Sequence, residues 1–170
     1  MGLDLKVALI SPEFPPFSIG GISAVCNDLA WNLAKKGVPT TVFCGKSNKI
    51  SMENLTDCLK IVRLPLLGLP PRHVWFQIEN LSPLLDLLKG FDIVHSIDPR
   101  AAFLAYFSKN LRRPFITHVH GCGHCETEVF LKSPISYWSL GDFVYTVLEY
   151  PLNQYLTNKC LRNSDHIVVC

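Results

Sequence analysis

An α/β fold, with a doubly wound parallel sheet between two layers of helices, is what this sequence predicts. Three observations carry the prediction. Short apolar runs alternate with helical patterns along the chain, the ordering of a parallel sheet whose crossovers are helices. The first run, Val7-Ala8-Leu9-Ile10, is continuously apolar, as a strand covered on both faces must be. A Pro- and Gly-rich loop, 11–21, then leads straight into a helical stripe, giving strand, loop and helix in the first third of the chain.

The elements follow in order. Lys6 to Ile10 is the first strand. Apolar residues recur at Ile22, Val25, Cys26, Leu29, Ala30 and Leu33, a helix stripe that Lys35-Lys36-Gly37 closes with a basic last turn and a glycine stop. Thr40 to Cys44 is the second strand and Leu59 to Leu64 the third, after a polar connection. Three prolines and a glycine between Pro65 and Arg72 mark an irregular excursion. Ser82-Pro83 reads as N-cap and first residue of a short Leu-rich helix ending at Lys89-Gly90. Phe91 to Ser96 is the fourth strand. Asp98-Pro99 reads as cap and first turn of a helix from Arg100 to about Arg113, and Phe115 to Val119 is the fifth strand. The stretch Gly121 to Gly141 has no period, and a connection of that length is functional or mobile. A long helix from Asp142, kinked at Pro151, and a sixth strand, Asp165 to Cys170, complete the pattern. The expected strand order is 3-2-1-4-5-6, with the crevice at the carboxyl ends of strands one and four.

With 170 residues the chain has room for one domain, 1–170. Hydrophobic residues make up 48% and charged ones 18%, which excludes disorder. A net charge of +2, with no basic block and no aromatic-basic interleaving, excludes nucleic acid as a partner. The first residues lack the pattern of a secretory signal, Val7 stands where a myristoylation motif needs Ser or Thr, and no apolar run is long enough to span a bilayer. A cytoplasmic location is expected. Seven cysteines, several within apolar stretches, read as reduced thiols acting as small hydrophobes.

Chemistry concentrates in two places. Pro15-Pro16-Phe17-Ser18-Ile19-Gly20-Gly21 opens directly into a helix. Paired glycines there let the backbone approach a ligand, and a helix N-terminus favours phosphate; glycine used for turn geometry alone is the competing reading. Neither G-x-G-x-x-G nor a P-loop lysine is present. The second place is His118-Val119-His120-Gly121-Cys122-Gly123-His124-Cys125, with enough ligand types for a zinc tetrahedron and C-x-x-C spacing. A single C-x-x-C without a distant partner pair is a weak metal signal, and a thiol-rich cleft loop is the plainer reading.

Lys6-Val-Ala-Leu-Ile-Ser-Pro-Glu-Phe-Pro-Pro16, then Gly20-Gly21-Ile22, resembles the opening of group 1 glycosyltransferases of the GT-B fold. Phe91 to Ser96, Ile116 to Gly121 and Ser164 to Val169 resemble the later strands of that family's first domain, in the right order. The resemblance implies the Rossmann-like, acceptor-side amino-terminal half of a retaining enzyme. Its donor would be a nucleotide sugar, with no further cofactor and no resident metal, and its acceptor a carbohydrate or a lipid-linked molecule. Most of the donor site would lie in a carboxyl-terminal domain of the same protein, which this chain does not contain; alone it should not turn over substrate. By position, Gly20 and Gly21 would put backbone N–H groups on the donor diphosphate, and His120 would contact the sugar near the reaction centre. Glu13, Asp98 and Gly121 would lie along the substrate rim, with Phe14 beside them.

Plainer roles stand beside these. His120 could be a strand-end histidine bonded to a backbone carbonyl, Asp98 is well explained as a helix N-cap, and His95 and His118 read as packing or rim residues. The aromatics between Phe130 and Tyr155 suit core or domain-interface packing, although a lipid-linked acceptor would also allow a peripheral place at the inner membrane face. Two other functions remain as alternatives: a stand-alone nucleotide- or phosphate-binding module, and a zinc or thiol-redox protein centred on Cys122 and Cys125.

Overall fold

Seven strands build one sheet, and its order follows from where the continuous apolar runs must be buried. The computed structural model describes residues 5–17, 20–47, 49–67, 69, 71–121, 128, 131–132, 134 and 139–169. The strands are β1 (Val7–Ser11), β2 (Thr40–Ser47), β3 (Ser51–Thr56), β4 (Leu59–Pro65), β5 (Ile93–Ser96), β6 (Phe115–Val119) and β7 (His166–Val169), in spatial order β3-β4-β2-β1-β5-β6-β7. Six are parallel and repeat the expected 3-2-1-4-5-6 winding. The seventh, β3, runs antiparallel to β4 and has every residue exposed. Its sequence, Ser-Met-Glu-Asn-Leu-Thr, offers no apolar face, which is why it reads as a polar connection; pairing with β4 makes it an edge strand.

The pleat divides the core in two. Ala8 and Ile10 point to one face, with Phe43, Val62, Leu64, Val94 and Phe115, and α2 (Arg72–Leu88), α3 (Ala102–Ser108) and α5 (Tyr150–Asn163) cover that side. Val7 and Leu9 point to the other, with Val42, Cys44, Leu59 and Ile61, beneath α1 (Gly21–Lys35). All five residues of β1 are buried, as its central place requires. Gly37 ends α1 at φ 76°, the left-handed conformation that glycine adopts without a steric penalty.

Three helix boundaries differ from the sequence reading. The helix expected from Ser82 begins ten residues earlier, at Arg72, and carries Pro83 in its interior. Its buried stripe, His73, Phe76, Gln77, Asn80, Leu84 and Leu88, is polar in its first half, so hydrophobicity alone hides it. Two of the three polar side chains are buried with bonds to the backbone: Asn80 donates to the carbonyls of Pro65 and Phe76, and Gln77 to those of His73 and Arg100.

The helix expected over 100–113 is shorter, Ala102–Ser108, and continues as a 3₁₀ turn, Lys109–Leu111. The long terminal helix has three parts: α4 (Leu140–Val144), one π-helical turn (Tyr145–Glu149) and α5. Pro151 falls in the first turn of α5, so the wide turn takes up the break in register that its ring imposes.

Candidate functional site

Ser11 and Ser96 end the neighbouring strands β1 and β5, and each donates its hydroxyl to a carbonyl two residues on, Glu13 at 2.7 Å and Asp98 at 2.8 Å. Both strands therefore turn at the same level and release their loops on the same side. The β1–α1 loop is pinned from below: Gly45 N donates to Pro12 O, Arg63 donates to Pro15 O at 2.9 Å, and the Arg63 guanidinium lies over the Phe17 ring. A Cβ on Gly45 would stand 2.8 Å from Pro12 O and 2.5 Å from Leu66 Cδ2. Close approach of two backbones makes glycine obligatory there. Nothing in the local sequence marks Gly45, because its neighbour is a residue of another strand's loop.

A cleft of about 380 Å³ opens at this edge, lined by Glu13, Ile22, Arg72, His73, Asp98, Arg100 and Glu149 among others. Asp98 is buried, and Arg100 holds it with bonds from Nε at 2.8 Å and from Nη2 at 2.7 Å, while the Arg100 backbone N–H donates to Oδ1. Burial pushes the Asp98 carboxyl up, and the hydrogen bonds and charge of Arg100 outweigh it, holding Asp98 below the usual carboxylate range. Asp98 is thus an ionised anchor for Arg100 and not the cap of α3. That helix has Ala101 at its N-cap, and its Phe103 N–H is taken up by Gln77 Oε1 at 3.1 Å. A side chain on α2 does the work that the sequence assigned to Asp98.

Gly20 is the N-cap of α1 and Gly21 its first residue; the helix has no side-chain cap and no acidic residue in its first turn. A side chain at Gly21 would touch nothing within 4 Å, and one at Gly20 would meet Glu13 Oε2 at 3.4 Å. Packing within the described residues does not require glycine at 21. Glu13 also reaches Arg72 at 3.9 Å, so its carboxylate lies between the mouth of α1 and the first residue of α2.

His120, just past the end of β6, bonds through Nε2 to Ile97 O at 3.1 Å. The plainer role anticipated for it is therefore real, and it also places the ring one residue from Asp98. His118 stacks on His120 with centroids 4.2 Å apart, and His95 on His118 at 5.6 Å. The three rings form one pile on the α1 side of the sheet. Burial, then the charges of His118 and His120, push His95 down to about 4, and burial with His120 lowers His118. Burial and the neighbouring imidazoles thus favour the neutral forms of His95 and His118. The period-two spacing of His118 and His120 was the signal in the sequence; the part played by His95, on another strand, was not visible there.

The cleft collects Glu13 and Asp98, borders the start of α1 at Ile22, and is joined to His120 through Ile97. Gly121 follows at the same edge, exposed. Arg72, His73, Arg100 and Glu149 are cleft residues that sequence reasoning missed. Burial pushes the His73 imidazole down to about 4, with Arg100 adding to the effect. A larger open groove of about 790 Å³ lies at the opposite, amino-terminal edge of the sheet, away from the carboxyl edge where doubly wound folds take their ligands.

The described cysteines Cys26, Cys44, Cys58 and Cys160 are free. Burial raises the Cys26 and Cys160 thiols and pushes Cys44 up to about 11. Cys122 and Cys125, with His124, lie outside the described residues. Among the described residues no helix is long and apolar enough to cross a membrane.

Comparison with known proteins places this fold. A family model described as Glycosyltransferase Family 4 matches residues 19–170. The chain is 25% identical over 128 residues to an uncharacterized glycosyltransferase, MJ1607, of Methanocaldococcus jannaschii, covering 71% of this chain and 33% of that protein. It superposes on sucrose-phosphate synthase from Thermosynechococcus elongatus with a TM-score of 0.62 at 18% identity, over 96% of this chain and 41% of that one. For Os79 of O. sativa, in complex with UDP and deoxynivalenol-3-glucoside, the TM-score is 0.59 at 12% identity, over 96% and 46%. For Arabidopsis thaliana UGT89C1 complexed with UDP it is 0.54 at 12%, over 97% and 42%. The fold is that of a GT-B domain, and the chain spans about a third of the curated relative and under half of these structures.

Proposed function

Since the chain belongs to Glycosyltransferase Family 4, we propose that it is the acceptor-side domain of a retaining glycosyltransferase that moves a sugar from a nucleotide-sugar donor to a carbohydrate or lipid-linked acceptor. The observation that supports this reading is the gathering at one edge of the sheet of an uncapped helix start at Gly20-Gly21, a cleft rimmed by Glu13, Asp98 and Arg100, and a strand-end imidazole tied to Ile97. UDP in two of the structural relatives supports a nucleoside diphosphate as the leaving group.

Transfer with retention builds positive charge on the sugar ring and negative charge on the departing phosphate. The N–H groups at the start of α1 would meet the phosphate without reorganising, because helix geometry already aims them. His120, donating Nε2–H to Ile97 O, would present Nδ1 as an acceptor toward a sugar hydroxyl. Arg100, locked by Asp98, would keep its orientation at the acceptor rim. The donor's nucleotide would be held mainly by a carboxyl-terminal domain of the same protein, and turnover would require it.

The test is a transfer assay on the longest native reading frame, offered a panel of nucleotide sugars. Gly21→Pro is a clean probe: proline is tolerated at the first helical position, and Gly20 is already extended at φ −144° and ψ 167°, as a residue before proline should be. It removes one N–H and leaves the helix. Loss of ~10²-fold in kcat is expected from Gly21→Pro, with a comparable loss in His120→Ala. Full activity in both variants would show that the family membership marks a fold without this site.

A further inference from the structure

Arg63 is a charged residue in a row of apolar ones. It follows Leu59 and Ile61 on the face of β4 that packs beneath α1, and it is only 9% exposed. Strand register puts Ser11, Cys44 and Arg63 in one line across β1, β2 and β4. That line is the level at which β1 gives way to its glycine loop, so the guanidinium sits under the loop.

Its contacts are all with uncharged groups. Nη2 donates to Pro15 O at 2.9 Å, Nη1 donates to Cys44 Sγ at 3.6 Å, and the Phe17 ring lies 4.8 Å from the guanidinium carbon. Burial pushes the Cys44 thiol up to about 11 against the pull of Arg63, so no thiolate balances the charge. Glu13 is turned to Arg72, and Glu53 stands opposite Ile61 on β3, exposed. Among the described residues Arg63 forms no ion pair. A clamp on the loop does not need that charge. Methionine would fill much of the same space, and Pro15 O, only half-buried, could accept from water. A buried charge with no counter-charge is costly, and it calls for an anion from outside the chain. Helix α1 opens from the same loop with N–H groups that no side chain caps, and these favour a ligand of the same sign.

Resting on the transfer reading above, we propose that Arg63 is a positioning residue for the donor diphosphate. Through Pro15 and Phe17 it sets the loop that leads to the Gly20 and Gly21 N–H groups, and the diphosphate supplies the counter-charge that the chain withholds. Arg63 touches no reacting atom; it acts through the loop and through its charge, which a low-dielectric surrounding screens less than water does. Arginine suits this place because one planar group donates in two directions and stacks on a ring at once. Lysine would keep the charge and lose the fork.

Calorimetry on the longest native reading frame, with UDP and with inorganic pyrophosphate, decides it. Arg63→Met is expected to weaken UDP at least tenfold, and Arg63→Lys to win back at least threefold of that loss. Thermal melts without ligand separate this role from a structural one. Arg63→Met removes an unbalanced buried charge, so Tm should hold or rise; an arginine kept only as a clamp would leave Tm several degrees lower when lost. Equal UDP affinity in wild type and Arg63→Met, an Arg63→Lys variant as weak as Arg63→Met, or that fall in Tm would each overturn the proposal. Wild-type protein that binds neither UDP nor pyrophosphate would overturn the nucleotide-sugar reading and this inference together, whereas wild-type binding matched by Arg63→Met would overturn this inference alone.

Discussion

His95 shows how a single residue can set the acid limit of this fold. It is held neutral by burial and by two stacked histidines, and takes up its proton near pH 4 in the folded chain against an ordinary value of 6.5. Between those values the unfolded chain holds more protons than the folded one, so stability rises with pH across that window. The contribution is complete above about pH 6.5 and is lost as pH falls toward 4; His73, lowered to about 4 as well, acts in the same direction. Thermal melts should therefore show Tm falling through this window, and His95→Phe, which keeps a ring in the pile but cannot titrate, should flatten the fall. An unchanged slope would mean that His95 titrates as an exposed histidine does. Gly45 is the second decisive residue. Gly45→Ala forces a Cβ against the Pro12 carbonyl and should cost ~1–3 kcal/mol in urea denaturation; a neutral result would show that the β1–α1 loop gives way freely.

Elements here are joined by polar clasps as much as by apolar faces. Gln77 on α2 donates to His73 O and Arg100 O and accepts from Phe103 N, so one buried side chain both closes its own helix and caps α3. Replacing it with leucine of similar bulk strands a buried N–H at the start of α3. Gln77→Leu is expected to destabilise by ~1–3 kcal/mol, read by denaturant titration, and to raise hydrogen exchange in α3 while leaving β2 and β4 protected. Exchange that rises equally everywhere would mean that α2 and α3 unfold only with the whole domain. The same clasp explains why the start of α2 was illegible. A helix whose buried positions hold His, Gln and Asn shows no hydrophobic period, and the one readable signal, Ser82-Pro83, lies eleven residues inside it.

For the whole molecule, the decisive fact is that one edge of the sheet collects every loop bearing a candidate residue. Strands β1, β5 and β6 end there with Glu13, Asp98 and His120, and α1 begins there with Gly21. If, as proposed, a carboxyl-terminal domain holds most of the nucleotide, the helix N–H groups and strand-end histidine of this domain should bind a nucleoside diphosphate weakly. Calorimetry with UDP is expected to give an affinity at least tenfold lower for this chain than for the longest native reading frame. Equal affinities would assign the nucleotide to this domain and return the stand-alone binding module to consideration.

The winding of the sheet, the glycine stop of α1, the two continuous cores and the placing of Gly20, Gly21 and His120 at strand and helix ends were all determined by the sequence itself. The physical reason is locality: burial on two faces demands continuous apolar runs, and helix ends demand particular residues within a turn of the boundary. Only the tertiary structure decided that Asp98 serves Arg100 while Gln77 caps α3, that β3 pairs as an edge, and that His95 stacks with His118 and His120 from the end of β6. Each depends on which distant residue arrives opposite, and a side chain's partner across the sheet or in a neighbouring helix leaves no periodic trace in the chain.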